Sequence, residues 1–262
     1  MTVVLKTIPE ILAWKSNVRK SALAKSPPEE LSIGLVPTMG ALHEGHEKLL
    51  EKARAENNLV VLSVFVNPTQ FNNPEDLKNY PITWESDLAT AEKLGIDVVF
   101  APDKAELYPD GYKFRITEND LSLKYCGAHR PGHFDGVLSV VTKLFQLVSP
   151  QRAYFGEKDY QQLQLVQGLV SAFFMDLTIV PVPTLRETDG LAMSSRNRLL
   201  SPGDREKAPL LYKALSESSS CEIAKACLNS EGFKVDYIEE FNGRRLGAAY
   251  LGKVRLIDNV QI

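Results

Sequence analysis

The 262-residue sequence has no long hydrophobic run. Its longest, Leu59 to Val66, falls far short of the ~20 residues a membrane-spanning helix needs. It has no excess of positive charge either: 30 Lys and Arg stand against 33 Asp and Glu, a net charge of −3. Chains that wrap nucleic acid or coat an acidic membrane need the opposite balance, so neither partner is expected. A local basic pocket for one phosphorylated ligand remains compatible with it. Cysteine is scarce, at Cys126, Cys221 and Cys227, and this odd set without framework spacing fits a reducing compartment. The opening MTVVLKTIPE has no charged leader, apolar core or cleavage site, which makes a cytoplasmic address the expectation. Repeats are absent, and the one biased patch, SESSSC at 216–221, reads as a surface loop. What is present, 44% hydrophobic and 24% charged residues, excludes wholesale disorder and supplies a full core for one or two domains.

Over roughly the first 180 residues, β-rich runs alternate with amphipathic stretches. Strands are expected at Ser32–Val36, Leu59–Val66, Asp97–Ala101, Ala153–Phe155 and Leu177–Val182. Helical patterns lie between them, near His46–Glu56, Glu85–Leu94, Gly136–Val148 and Asp159–Phe174, with a further helix at about Ile8 to Ala24. Near-continuous apolar strands separated by helices indicate a parallel sheet covered on both faces. After Pro183 the texture changes: helices near Asp204–Glu217 and Glu222–Asn229, then strands at Val235–Phe241 and Ala249–Gln261. The fold expected is α/β, a Rossmann-like doubly wound parallel sheet over residues 1–184, with a smaller α+β domain over 185–262.

Four segments carry chemistry. In an open parallel sheet, ligands bind beyond the carboxyl ends of the strands, and PTMGALHEGH follows the strand at 32–36. Gly40 permits a bend, Gly45 leaves room at a helix start, and His43 and His46, three apart, share one helical face. Two imidazoles at a helix N-terminus make a site for a triphosphate; the plainer reading is two polar histidines on an exposed turn. FGEKDYQQLQ follows the strand at 153–155, with Gly156 for close approach, Lys158 as a point charge for phosphate, Asp159 at the helix start, then Gln161 and Gln162. A surface Lys–Asp pair is the bland alternative there. DGLAMSSRN at 189–197 offers Ser194, Ser195 and Arg196 to a phosphate chain, or is an ordinary helix lead-in. FVNPTQF at 65–71 places Asn67 and Gln70 at a strand's carboxyl end, as ligands or as the buried amides of a turn.

Cys126, His129 and His133 have spacings that suit zinc, but Pro131 and Gly132 interrupt the helix between the histidines and no fourth ligand follows. No protein metal site is expected, and Arg130 in the same loop faces an anionic ligand or solvent.

Taken together and in this order, PTMGALHEGH, FVNPTQF, CGAHRPGHFDGV, FGEKDYQQL, DGLAMSSRN and GKVRLIDN resemble the pantothenate synthetase (pantoate–β-alanine ligase) family. The resemblance covers nearly the whole chain. His43–Glu44–Gly45–His46 is similar to the His-x-Gly-His signature of the wider nucleotidyltransferase superfamily, and MSSR to its mobile loop. The resemblance implies ATP-dependent condensation of (R)-pantoate with β-alanine through a pantoyl adenylate, releasing pyrophosphate and then AMP. It implies ATP as a substrate, with Mg²⁺ bridging the phosphates, and a cytoplasmic homodimer. ATP contacts would come from Met39, Gly40, Ala41, Leu42, His43, Glu44, Gly45 and His46; from Gly156, Glu157, Lys158 and Asp159; and from Leu185, Met193, Ser194, Ser195 and Arg196. Gln70 would bind pantoate and β-alanine, and Gln162 would bind pantoate. His46 is the residue the family pattern marks as catalytic, assisted by His43 and Lys158, and residues 185–262 would form a lid. The chain departs from the family pattern at Ile82, where an Arg usually follows Tyr-Pro, and in a shortened stretch after Phe241. Outside the family, the residues are also compatible with a nucleotidylyltransferase for another small substrate, a non-catalytic nucleotide-binding module, or a zinc hydrolase.

Overall fold

A computed structural model describes residues 2–25 and 30–262. Six strands form one parallel sheet: β1 (Val3–Leu5), β2 (Ile33–Thr38), β3 (Leu59–Val64), β4 (Val98–Phe100), β5 (Arg152–Gly156) and β6 (Thr178–Val182). Their spatial order is β1-β4-β3-β2-β5-β6. From β2 the chain runs outward through β3 to β4, then crosses back to place β5 on the other side of β2. The carboxyl ends of β2 and β5 therefore flank the point where the winding reverses, and a crevice opens there.

Helices α1 (Ile8–Leu23), α2 (Glu44–Glu56), α3 (Pro74–Lys78), α4 (Trp84–Lys93), α5 (Lys104–Leu107), α6 (Cys126–His129), α7 (His133–Val148) and α8 (Tyr160–Ala172) accompany this sheet. Strand alternation divides the core between its two faces. Ile33, Leu35, Val61 and Ala153 join Ile11 of α1, Leu138 and Leu144 of α7 and Leu163 of α8. Val36, Val60, Leu62 and Tyr154 join Leu50 and Ala53 of α2 and Ala91 of α4. At roughly 25 cal/mol per Å² of buried apolar surface, these two layers are the main source of stability. Strand β1 was not among the expected elements; three residues at the sheet edge are too short to show a period.

The C-terminal part contains α9 (Pro202–Lys207), α10 (Leu210–Glu217) and α11 (Cys221–Ser230), then the antiparallel strands β7 (Lys234–Phe241), β8 (Arg244–Leu251) and β9 (Val254–Gln261). Two expectations are corrected here. The helix expected at Asp204–Glu217 is two helices, because Pro209 cannot supply the N–H a continuous helix needs. The strand expected at Ala249–Gln261 is the end of β8, a turn at Gly252–Lys253, and β9. The turn joining β7 to β8 is Asn242–Gly243, both with positive φ (50° and 70°), the pairing that a tight hairpin turn requires.

One side of this small sheet packs on α10 and α11 through Leu215, Leu228, Ile238 and Leu256. From the other, Tyr237, Leu246 and Ala248 join the core of the large sheet. Polar ties reach further. Asn259 Nδ2 donates to the carbonyls of Glu157 (2.8 Å) and Lys158 (3.0 Å), and Arg244 pairs with Glu157 at 2.7 Å.

Candidate active site

The crevice is a cavity of about 980 Å³, lined from β2, the segment after β3, β5, α7 and the C-terminal part. At its centre is the turn from β2 into α2. Gly40 has φ 77°, and a Cβ there would meet Asp87 Oδ2 at 2.9 Å. Ala41 follows in the same left-handed region at φ 51°, which is unfavourable for a residue with a side chain. Asp87 on α4 holds it: Oδ2 accepts from Ala41 N (2.9 Å), Oδ1 from Leu42 N (2.8 Å), and Oδ1 also from Thr83 Oγ1 (2.9 Å). Asp87→Ala leaves those two buried N–H groups unmatched, at ~1–3 kcal/mol each. We expect a fall of roughly 4–24 °C in the thermal midpoint, with Asp87→Asn intermediate; an unchanged midpoint in calorimetry would dismiss Asp87 as the anchor.

His43 is the N-cap of α2, and its Nδ1 accepts from Gly45 N at 3.1 Å. His46, one turn on, accepts from His43 N through Nδ1 at 3.3 Å. The ring centroids are 4.0 Å apart. A Cβ at Gly45 would come within 2.9 Å of the His43 ring, so only glycine leaves that ring its place. Because Nδ1 is the acceptor on both rings, this network assigns the proton of both to Nε2. Burial, then Lys158 and Arg198, pushes the His43 pKa down to about 4. Burial, then His43 and Lys158, takes His46 to about 3. At neutral pH both are uncharged donors.

Each expected site residue can now be placed. Met39, His43, Gly45 and His46 line the cavity. Gly40, Ala41 and Leu42 form the buried bend behind it, and the Glu44 side chain faces solvent. Gly156, Lys158, Asp159 and Gln162 line the wall after β5. No protein atom approaches a Cβ built on Gly156, so the room it leaves is not used by a close protein contact. Glu157 turns instead to Arg244. Leu185, Met193, Ser194, Ser195 and Arg196 line the C-terminal side. Arg196 Nη2 reaches Asp76 at 3.2 Å, and Ser195 Oγ lies 3.4 Å from the Tyr80 hydroxyl, so this loop is latched to the segment after β3. Ile82, at 81% exposure, points away from that latch and lines a separate smaller pocket.

The amides divide by role. Asn67 is buried with every polar atom in use: Nδ2 donates to Gln70 Oε1 (2.9 Å) and Gly136 O (3.1 Å), and Oδ1 accepts from Tyr108 (2.9 Å) and Thr69 (2.9 Å). It orients Gln70, which lines the cavity. Likewise Gln161 is spent on Cys126 N and the carbonyls of Leu121 and Lys124, while Gln162 faces the cavity.

The zinc arrangement is not formed. His133 uses both ring nitrogens, on Gln70 O (2.7 Å) and Arg130 (3.1 Å), and His129 stacks on Tyr237. Arg130 is half-buried in the cavity wall. Sequence reasoning missed Asp87, Tyr80 and Asp76. Asp87 had a signal, as a carboxylate sharing the buried face of α4 with Ala91.

An open parallel sheet thus brings two neutral imidazoles at a helix N-terminus, a lysine and a Ser-Arg loop to one cavity at its switch point. The sequence profile of the family described as pantoate-beta-alanine ligase matches residues 4–261. The pantothenate synthetase of Bdellovibrio bacteriovorus is 56% identical over 262 residues, all of both chains, so the shortened stretch after Phe241 does not set this chain apart from it. That of Legionella pneumophila is 51% identical over 230 residues, 88% of this chain and 91% of its own. The pantoate-beta-alanine ligase of Francisella tularensis, crystallised with beta-gamma ATP and beta-alanine, superposes with a TM-score of 0.91 at 42% identity, covering 100% of this chain and 98% of that one. A Thermus thermophilus pantothenate synthetase gives 0.87 at 42%, over 98% of each chain. The chain belongs to the pantoate-beta-alanine ligase family and is a pantothenate-forming ligase.

Proposed function

We propose that the cavity performs this ligation in two steps, with the residues named above as its machinery. The pantoate carboxylate attacks the α-phosphorus of ATP, forming a pantoyl adenylate and expelling pyrophosphate. The β-alanine amine then attacks the acyl carbon, expels AMP and loses its proton to give pantothenate. The observation that carries this reading is the convergence of the His43 and His46 Nε2–H donors with Lys158, Ser195 and Arg196 on one cavity.

Attack at the α-phosphorus gathers negative charge on its oxygens and leaves the protein little covalent work. Fixed donors aimed at that charge can each supply about 3 kcal/mol. The neutral Gln70 and Gln162 suit pantoate, because they hold hydroxyls and carboxylate without an ion pair that would blunt the nucleophile. Among the described residues no group of three or more His, Cys, Asp or Glu gathers for a metal. The Asp159 carboxylate, 3.8 Å from Lys158 on the cavity wall, suits an ion held mainly by phosphates. Mg²⁺ bound there would neutralise triphosphate charge.

The Arg196–Asp76 and Ser195–Tyr80 contacts support closure of the Ser-Arg loop over the adenylate, with residues 185–262 as the lid domain. We extend the reading to a cytoplasmic homodimer without nucleic-acid or membrane partners, in keeping with the acidic charge balance. The test is product release in sequence. ATP with pantoate alone should yield pyrophosphate, and adding β-alanine should then yield AMP; no pyrophosphate without the amine would overturn the adenylate route.

A further inference from the structure

One half-buried cation in the cavity wall is left without a role or an ion pair by the scheme above. Arg130, the C-cap of α6, donates from Nη1 to His133 Nε2 (3.1 Å) and from Nη2 to the Gln70 carbonyl (3.2 Å), with Cys126 Sγ 4.0 Å from Nη1. His133 Nε2 is thus the acceptor, so Nδ1 carries the proton given to the Gln70 carbonyl at 2.7 Å. Burial, reinforced by Arg130, holds the His133 pKa down to about 3, so the ring is neutral and shares none of the charge. Two more guanidiniums stand in the same wall, and both are matched: Arg255 with Asp236 at 2.7 Å, Arg196 with Asp76 at 3.2 Å. Arg130 makes no ion pair with any described carboxylate. A net positive charge, held rigidly by His133 and the Gln70 backbone, remains beside Gln70 with three of its five N–H donors uncommitted to oxygen or nitrogen.

We propose that Arg130 receives the carboxylate of the incoming β-alanine and is the residue that selects an amino acid over a simple amine. The proposal rests on the reading of this cavity as the ligase site. Of the charged groups that must enter, the triphosphate faces His43, His46 and Lys158, and the pantoate carboxylate has to stay unpaired to act as nucleophile. The β-alanine carboxylate is the remaining anion, and a half-buried wall accepts it only against a matched cation. A guanidinium fork fits a carboxylate with two parallel hydrogen bonds. With that end seated beside Gln70, the amine two methylenes away is directed toward the acyl carbon. Arg130 binds substrate, and His133 is a positioning residue behind it.

The test compares β-alanine with β-alaninamide and propylamine, following AMP release from enzyme preloaded with ATP and pantoate. The wild-type enzyme should prefer β-alanine over either neutral-tailed amine by about a hundredfold in kcat/KM. In Arg130→Gln that ratio should collapse to a few-fold, through a raised KM for β-alanine, and Arg130→Lys should restore part of it. Each ratio is taken on one preparation, so it does not depend on how much of a variant folds. Wild-type enzyme that uses the amide as readily as β-alanine, or an Arg130→Gln enzyme that keeps the preference, would overturn the assignment. Absence of pyrophosphate from wild-type enzyme with ATP and pantoate would instead strike the two-step reading itself.

Discussion

His46→Ala is expected to lower pantoate-dependent pyrophosphate release at least ~100-fold, while the protein stays folded. The expectation comes from protonation and direction together. The backbone N–H of His43 occupies His46 Nδ1, which leaves Nε2–H as the donor the ring can offer. A pKa held near 3 keeps that proton in place as a donor without adding a positive charge that would tighten the ground state as much as the transition state. Alanine removes the donor and leaves only the partly exposed His43 N–H without its side-chain acceptor, a cost of ~1 kcal/mol to the fold. His43→Ala should fall in the same range. Because the rings touch, at 4.0 Å between centroids, the double variant should lose less than the product of the two. Burst measurement of pyrophosphate without amine separates this step from the second, and near-normal release by His46→Ala would refute the assignment.

The second large effect is on stability. His43, His46 and His133 are held to pKa values of about 4, 3 and 3 in the folded protein, mainly by burial. In the unfolded chain each titrates near 6.5. As pH falls below that value the unfolded state takes up protons that the folded state refuses, so stability present above pH ~6.5 is lost on acidification. Three protons set a limiting slope of about 4 kcal/mol per pH unit between roughly pH 6 and 4. Urea midpoints should be level from pH 7 to 8 and fall steeply from pH 6 to 5, before most carboxylates titrate. His133→Gln should reduce that slope by about a third. Equal midpoints at pH 7 and pH 5 would show that the rings are not held neutral.

How much of this was visible in the chain follows from the range of the forces involved. Long apolar strands between amphipathic helices announce a parallel sheet, because burial on both faces imposes that pattern on Leu59–Val64 and its neighbours whatever the rest of the chain does. The site segments were legible because each follows a strand and the topology sends those ends to one crevice. The hairpin at Asn242–Gly243 carried its own signal in the Asn-Gly pair, overlooked because Leu246 to Leu251 contains Gly247 and two alanines and lacks the bulky alternation of a strand. Pro209 likewise marked a helix break in plain view. What was not legible depends on partners far away in sequence. Gln161 and Gln162 are adjacent and chemically identical, and only the fold sends one to backbone carbonyls at 121 and 124 and the other to the cavity. Arg130 becomes informative only once Arg196 and Arg255 are seen to have spent their charge elsewhere.

The clasp between Asn259 and the carbonyls of Glu157 and Lys158 has a consequence for synthesis. The loop that carries Lys158 leaves the ribosome about a hundred residues before the strand that moors it. A nascent chain that stops short of Asn259 has the whole large sheet and both histidines, yet lacks these anchors for the lysine. The placement of Lys158 in the cavity wall therefore depends on a contact made about a hundred residues downstream, and a chain cut before Asn259 should lose it.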